Sequence, residues 1–211
     1  TLFFLGASGV LSGSVLKILE YIKDSKLSVI LVVPDVELLS ETAYLQNRAV
    51  FFILQEYARS GLLDNLLLLD NAILEETIPN LTILTRYDKI NEVICSSMNM
   101  LNVLDNQKPI MKTSSKRADI ARICTVGQFN MEENLENLFF SLDNVSEKCY
   151  YYAIPQKRLE EDTKLLKMIT TQVKEKNQDK EMKTSFRVHS TNYDKAFCYV
   201  TAFSSQIQKS S

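Results

Sequence analysis

The sequence predicts an α/β protein with interleaved parallel strands and helices, a long central helix, and a smaller α+β unit after it. Three observations predict this. Residues Lys26 to Val33 (KLSVILVV) form a nearly continuous apolar run, as expected of a parallel strand covered on both faces. From Ala43 the apolar residues shift to helical spacing (Ala43, Ala49, Val50, Ile53, Leu54, Tyr57), and Leu81 to Leu104 is the longest helical pattern of the chain. Thr184 to Thr191 alternates with period two, and Ala196 to Phe203 reads as a second closing strand.

Composition narrows the function classes. The 211 residues are 45% apolar, enough to bury a substantial core. A net charge of −2, with Lys and Arg scattered, offers no electrostatic footprint for nucleic acid. The four cysteines lie far apart without a CxxC pair, and His189 is the sole histidine, which argues for free thiols in a reducing compartment and against zinc. No apolar run approaches the roughly 20 residues of a membrane span, and no signal peptide is visible. The expected setting is the cytoplasm.

Taken in order, Thr1 to Leu5 reads as a strand, with a Gly/Ser-rich loop from Gly6 to Ser14 and helical spacing at Val15, Leu16, Leu19 and Ile22. That order points backbone N–H groups and a helix amino terminus at an anion. The chain opens without a methionine on this strand-like run, and an amino-terminal portion is expected to precede it. Pro34 ends the Lys26 to Val33 strand, since proline cannot donate into the ladder. The loop behind it, with Ser40, Glu41 and Thr42, sits where open α/β sheets bind ligands. Gly61 is the expected stop of the next helix. Leu66 to Leu69 reads as a buried strand, and Asp70 or Asn71 caps a short helix from Ala72 to Glu76.

In the long helical pattern, Leu84, Tyr87, Ile90, Ile94, Ser97, Met98 and Leu101 share a face, and Tyr87 and Asn91 lie four apart on one side. Further on, Glu132 to Phe140 has helical spacing, Cys149 to Ile154 reads as a strand closed by Pro155, and Glu160 to Lys176 as an amphipathic helix. Lys176 to Lys183 is a charged loop. The last two strands are expected to pair as a hairpin across Asn192 to Asp194. His189, on an alternating strand, reads as a satisfied structural histidine.

Several of these segments together resemble the tubulin/FtsZ superfamily. VVP, the Ser40–Glu41–Thr42 loop and Asn47 match the spacing of the ribose-and-base-binding segment of eukaryotic tubulins. LDNAIL stands where tubulins read IDNEAL, and Tyr87 and Asn91 repeat a Tyr–Asn pair that holds guanine in that family. GASGVLSGS occupies the place of GGGTGSG or GGGTGTG. Gly9, Ser12 and Gly13 fall on the signature, while Ala7, Ser8, Val10 and Leu11 depart from it, each adding a Cβ against close phosphate approach. SKRADIARICTVGQF stands at the place of the catalytic loop, with Asp119 on its first acid and Arg122 where the second acid is expected. An arginine cannot accept a proton from water. Slow hydrolysis, a shifted register, or another acid such as Glu132 are the three ways to accommodate it.

The eroded phosphate loop is most similar to TubZ-type proteins of plasmids and phages. The resemblance implies the carboxyl-terminal part of a Rossmann-like GTPase domain in residues 1–80, a connecting helix at 81–105 and an activation-type α+β domain at 106–211. It implies GTP or GDP, with Mg2+, held by Gly9, Ser12, Gly13, Glu41, Asn47, Tyr87 and Asn91. It also implies head-to-tail self-assembly in which Asp119 of the next subunit completes hydrolysis, and segregation or positioning of plasmid or phage DNA through a DNA-binding adaptor protein. Two other readings fit the same residues: a non-hydrolysing structural homologue of tubulin, and an unrelated α/β nucleotide-binding module.

Overall fold

The structure, a computed structural model, describes residues 1–7, 12–21, 26–113, 118–177 and 182–209. The elements run β1 (Leu2–Gly6), α1 (Ser12–Tyr21), β2 (Ser28–Val33), α2 (Glu41–Ser60), β3 (Asn65–Asp70), α3 (Asn71–Thr77) and α4 (Arg86–Asn106). They continue with β4 (Met111–Lys112), β5 (Ile123–Asn130), β6 (Leu135–Leu138), β7 (Glu147–Pro155), α5 (Gln156–Glu161), α6 (Leu165–Lys176), β8 (Lys183–Thr191) and β9 (Phe197–Ser204). The strands join in one sheet of order β1-β2-β3-β5-β9-β7-β8-β4, with β6 paired to β5 off that path. Strands β1, β2, β3 and β5 are mutually parallel, β9 runs against both β5 and β7, and β7 is parallel to β8. The carboxyl ends of β1, β2, β3, β5, β7 and β8 therefore share one edge of the sheet.

Three apolar layers hold it together. Helices α1 and α2 cover one face of the first strands, with Val15, Leu19, Val50, Phe51 and Leu54 against Val29, Leu31, Leu66 and Leu68. Helix α4 covers the opposite face, where Ile90, Ile94, Leu101 and Leu104 meet Ile30, Leu67 and Leu69 of the first strands and Cys124, Val126, Cys149 and Tyr151 of the later ones. Helix α6 closes the other face of the later strands through Leu165, Ile169 and Val173 against Tyr150, Tyr152, Phe186 and Val200. Burial on both faces is why β2 reads as an unbroken apolar run. The stops are local. Ser40 Oγ accepts the Ala43 N–H at the start of α2, Gly61 takes the left-handed conformation (φ 87°) at its end, and Asp70 accepts the Ala72 N–H to cap α3.

Five expectations are corrected. The long helix starts at Arg86 rather than Leu81, because Thr82 and Thr85 bond each other and the Thr85 hydroxyl accepts the Thr82 N–H, a local alternative to helix. Leu84 is consequently 91% exposed, and the buried stripe begins at Ile90. Glu132 to Phe140 is a hairpin arm, β6, not a helix. Asn130 accepts the N–H groups of Glu132 and Glu133, and Asn134 adopts a positive φ of 54°, so the chain turns back on β5. The helix expected from Glu160 starts at Leu165, after Asp162 takes the Lys164 N–H and separates α5 from α6.

Finally, β8 and β9 do not pair, since β7 lies between them. The connection 192–196 spans roughly 17 Å when extended, more than the roughly 10 Å across one intervening strand. The nearly all-buried β7 thus takes the interior position. His189 is fully buried, but both ring nitrogens lack a partner among the described residues, so it is structural without being satisfied. The four cysteines are free, and Cys95 alone of them is exposed. No described helix is long and apolar enough to cross a membrane.

Two predictions follow from this packing. A Cβ at Gly127 would sit 2.2 Å from the Asn137 carbonyl oxygen across the β5–β6 hairpin. Gly127→Ala should therefore cost about 3 kcal/mol or more by urea unfolding, and a loss below 1 kcal/mol (roughly the floor for overpacking) would contradict the hairpin. Burial, reinforced by the Arg187 charge, holds the His189 pKa below its ordinary value. The unfolded chain therefore takes up the proton first as pH falls. Stability should be intact above about pH 6.5 and decline as pH drops through the window beneath it. His189→Leu should flatten that slope, and an unchanged slope would exonerate His189.

Candidate functional site

The carboxyl edge of β1, β2 and β3 is where the chain places its polar loop residues. After β1 the chain reaches Ala7, whose N–H donates to the Val32 carbonyl, and resumes as α1 at Ser12 and Gly13. Gly9 lies outside the described residues. After β2, Pro34 leads to Asp35, whose Oδ1 accepts the Glu37 N–H at 3.1 Å and caps a single 3₁₀ turn at Val36–Leu38. Glu41, exposed, opens α2. After β3, Asp70 caps α3, and Asn71 is the first helical residue.

Helix α4 begins at the same edge. Arg86 Nε donates to Glu75 Oε1 of α3 at 2.6 Å, and Nη2 lies 3.7 Å from Asp35 Oδ2. This guanidinium draws the β2–α2 loop, α3 and the start of α4 together. Tyr87 follows, 66% exposed, with the Arg86 Cζ 5.9 Å from its ring centroid. Asn91 is exposed one turn further on. The structure therefore brings Tyr87 to Asp35 and Glu75 through Arg86. Asn47 belongs to the buried stripe of α2, on the sheet face opposite α4, at 1% exposure.

Among the described residues, two asparagines carry buried, unpaired amide atoms. Neither amide atom of Asn47 has a partner among the described residues, and the buried Oδ1 of Asn71 has none either. Leaving buried polar groups unpaired costs about 1–3 kcal/mol each, so the Asn71 Oδ1 at this edge fits a ligand that supplies a donor. Sequence pattern points to Glu41 after the second strand and to Asn71 only as one of two possible caps, so the structure adds Asp35 and Asn71 to the site. The signal was available: each is among the first polar residues beyond a strand's carboxyl end.

Asp119 lies at the other edge. It is exposed, three residues before Arg122, whose carbonyl accepts the Leu66 N–H at the amino end of β3. Arg122 is held locally, donating from Nε to the Asp119 carbonyl at 2.8 Å and from Nη1 to the Leu63 carbonyl at 3.0 Å. Glu132 stands beyond the far end of β5, paired with Arg158 at 2.7 Å, so it cannot share a site with Asp119 of the same chain. A cavity of about 770 Å³ is lined by Glu132 with Phe129, Met131, Arg158 and Cys198, apart from the residues expected to bind nucleotide.

Comparison with known proteins gives a fold. No protein-family model matches the chain, and no curated protein does. Among solved structures, a GTPγS-form protofilament of TubZ from Bacillus thuringiensis serovar israelensis superposes with a TM-score of 0.67 at 17% identity, over 96% of this chain and 59% of that one. An FtsZ dimer from M. jannaschii gives 0.65 at 14% identity, over 96% and 62%. GDP-bound monomeric CetZ1 from Haloferax volcanii gives 0.62 at 18%, over 97% and 64%. The chain has the tubulin/FtsZ-like fold and spans about three-fifths of the length of these structures.

The two polar residues at the end of β3 should separate on substitution. Asp70→Ala removes a helix cap and should cost about 1 kcal/mol or more. Asn71→Ala, which deletes an unpaired Oδ1, should change unfolding by less than about 0.5 kcal/mol. Equal losses in chemical denaturation would show that Asn71 is there for the fold.

Proposed function

We propose that this chain is part of a GTP-binding protein that assembles head to tail, each nucleotide lying between the carboxyl edge of one subunit and the Asp119 edge of the next. The observation that supports it is the opposition of the two sets of residues. Tyr87, Asp35 and Asn71 stand at one edge of the sheet and Asp119 at the other. A site split in this way is completed by a second copy in a heterologous contact, which propagates as a filament if it does not close. The similar TubZ structures are filaments and protofilaments, including GTPγS and GDP forms.

In this reading residues 1–80 belong to the nucleotide-binding domain, 81–105 connect, and 106–211 form the second domain. Gly9, Ser12 and Gly13 are the residues assigned to the phosphates, and Glu41 and Asn47, both on α2, are assigned to the same nucleotide. Tyr87 stacks on the base, and Asn91 and Asn71 present amides to its edge. GTP with Mg2+ supplies the transferable phosphoryl group. The carboxylate of Asp119 from the next subunit orients water, a role that acts in the transition state rather than in binding. The whole protein then moves or positions plasmid or phage DNA in the cytoplasm through a DNA-binding adaptor.

One observation favours a second reading, assembly without turnover. Arg122, at the place of the second acid, spends its guanidinium on the Asp119 carbonyl and on the Leu63 carbonyl of the turn before β3. It supplies neither a base nor a free cation to phosphate.

The test uses the full-length protein with GTP, measuring nucleotide affinity, phosphate release and light scattering. Tyr87→Ala should weaken GTP binding by about 1–3 kcal/mol. Asp119→Ala should bind GTP normally, release phosphate slowly and leave longer-lived filaments. Wild-type turnover in Asp119→Ala would refute the assigned role. Assembly with no phosphate release in the parent protein would select the second reading.

A further inference from the structure

We propose that Arg86 is a positioning residue that holds the Tyr87 ring ready for a planar base, and that Glu75 and Asp35 fix the guanidinium from which it does so. This rests on the nucleotide reading above and goes beyond it by assigning a residue that touches the ring rather than the ligand.

Helix formation does not account for Arg86. It is the first residue of α4, where the helix dipole disfavours a cation, and the preceding Thr85 provides no side-chain cap. The compensation comes from outside the helix. Glu75 Oε1 of α3 receives both Nε and Nη2, and Asp35 Oδ2 lies 3.7 Å from Nη2. All three side chains are about three-quarters withdrawn from solvent, at 23%, 23% and 26% exposure. Asp35 is itself fixed, since its other oxygen caps the Glu37 N–H. A cation so placed on α4 is held by one carboxylate from α3 and one from the β2–α2 loop.

What it touches is the ring. The Cζ stands 5.9 Å from the Tyr87 centroid, within cation–π range, while Tyr87 keeps 66% of its surface exposed. One side of the ring is thus supported and the remainder stays open. An exposed tyrosine in the first turn of a helix would otherwise sample several rotamers, and ordering it on binding would reduce affinity. The clamp removes that cost beforehand.

The experiment is a double-mutant cycle on the full-length protein, with calorimetric titration of GTP and of ribose 5′-triphosphate, which lacks the base. Arg86→Met should weaken GTP roughly tenfold, within the range of losing a base–aromatic stack, and leave ribose 5′-triphosphate unchanged. Glu75→Gln should reproduce a smaller loss in the same direction and serves if Arg86→Met folds poorly. Arg86→Lys, which keeps the cation, should recover part of the affinity. The double variant Arg86→Met/Tyr87→Ala should bind GTP no more weakly than Tyr87→Ala alone, since both act through one ring. Losses that multiply, or equal weakening of both ligands, would overturn the positioning role while leaving the nucleotide site intact. If Tyr87→Ala binds GTP like the parent protein, the nucleotide reading falls and this proposal with it.

Discussion

Burial of one stripe of α4 against a sheet built by both halves of the chain is the constraint on which the rest depends. Ile90, Ile94, Leu101 and Leu104 contact β2 and β3 on one side and β5 and β7 on the other. At 21 residues the helix is about 31 Å long, enough to run from the carboxyl edge of the first strands to their amino edge. Arg86 and Tyr87 are thereby fixed beside the β2–α2 loop. At its other end, Asp105 accepts a hydrogen bond from Arg187 of β8 at 2.5 Å. A helix free to slide along the sheet would separate Tyr87 from Asp35, and no alternative anchor for the ring is visible among the described residues.

The same geometry explains why one chain carries two half-sites. Parallel strands put every loop that follows a carboxyl end on one edge, and Asp35, Asn71 and the α1 start collect there for that reason. Asp119 precedes β5, which is parallel to β3, so it must fall on the opposite edge. No rearrangement of side chains within one chain brings the two together. A second copy does, and that is the physical ground for reading the molecule as a filament subunit.

Much of this was legible in the sequence, and the failures are instructive. The apolar run of β2 and the Gly61 stop are dictated by adjacent residues, so pattern alone finds them, and it narrows the α3 cap to Asp70 or Asn71. The start of α4 and the break before α6 were misplaced because single side chains, Thr85 and Asp162, captured backbone N–H groups. The β6 arm was read as a helix because its inward residues include Glu136, which is apolar in no scale. Burial would raise the Glu136 pKa, but hydrogen bonds from Lys148 and Tyr150 and the charges of Lys148 and Lys176 hold it below the ordinary value. Strand order escaped altogether, since β7 enters between β8 and β9 for packing reasons that no local window contains. In the site, residue types were found more readily than partners. Tyr87 was visible by its spacing with Asn91, whereas its support by Arg86, Glu75 and Asp35 joins three separated segments.

Complementation between two defective variants tests the central claim most directly. Full-length Tyr87→Ala keeps Asp119 but lacks the stacking ring, and full-length Asp119→Ala keeps the ring but lacks the acid. In a head-to-tail filament, an Asp119→Ala subunit binds GTP and receives the intact Asp119 of a neighbouring Tyr87→Ala subunit. Phosphate release from an equimolar mixture should then exceed the sum of the two variants measured separately, and rise with protein concentration as the subunits assemble. A mixture that releases phosphate at no more than that sum, while co-assembling with GTP, would contradict a site shared between opposite edges of neighbouring sheets.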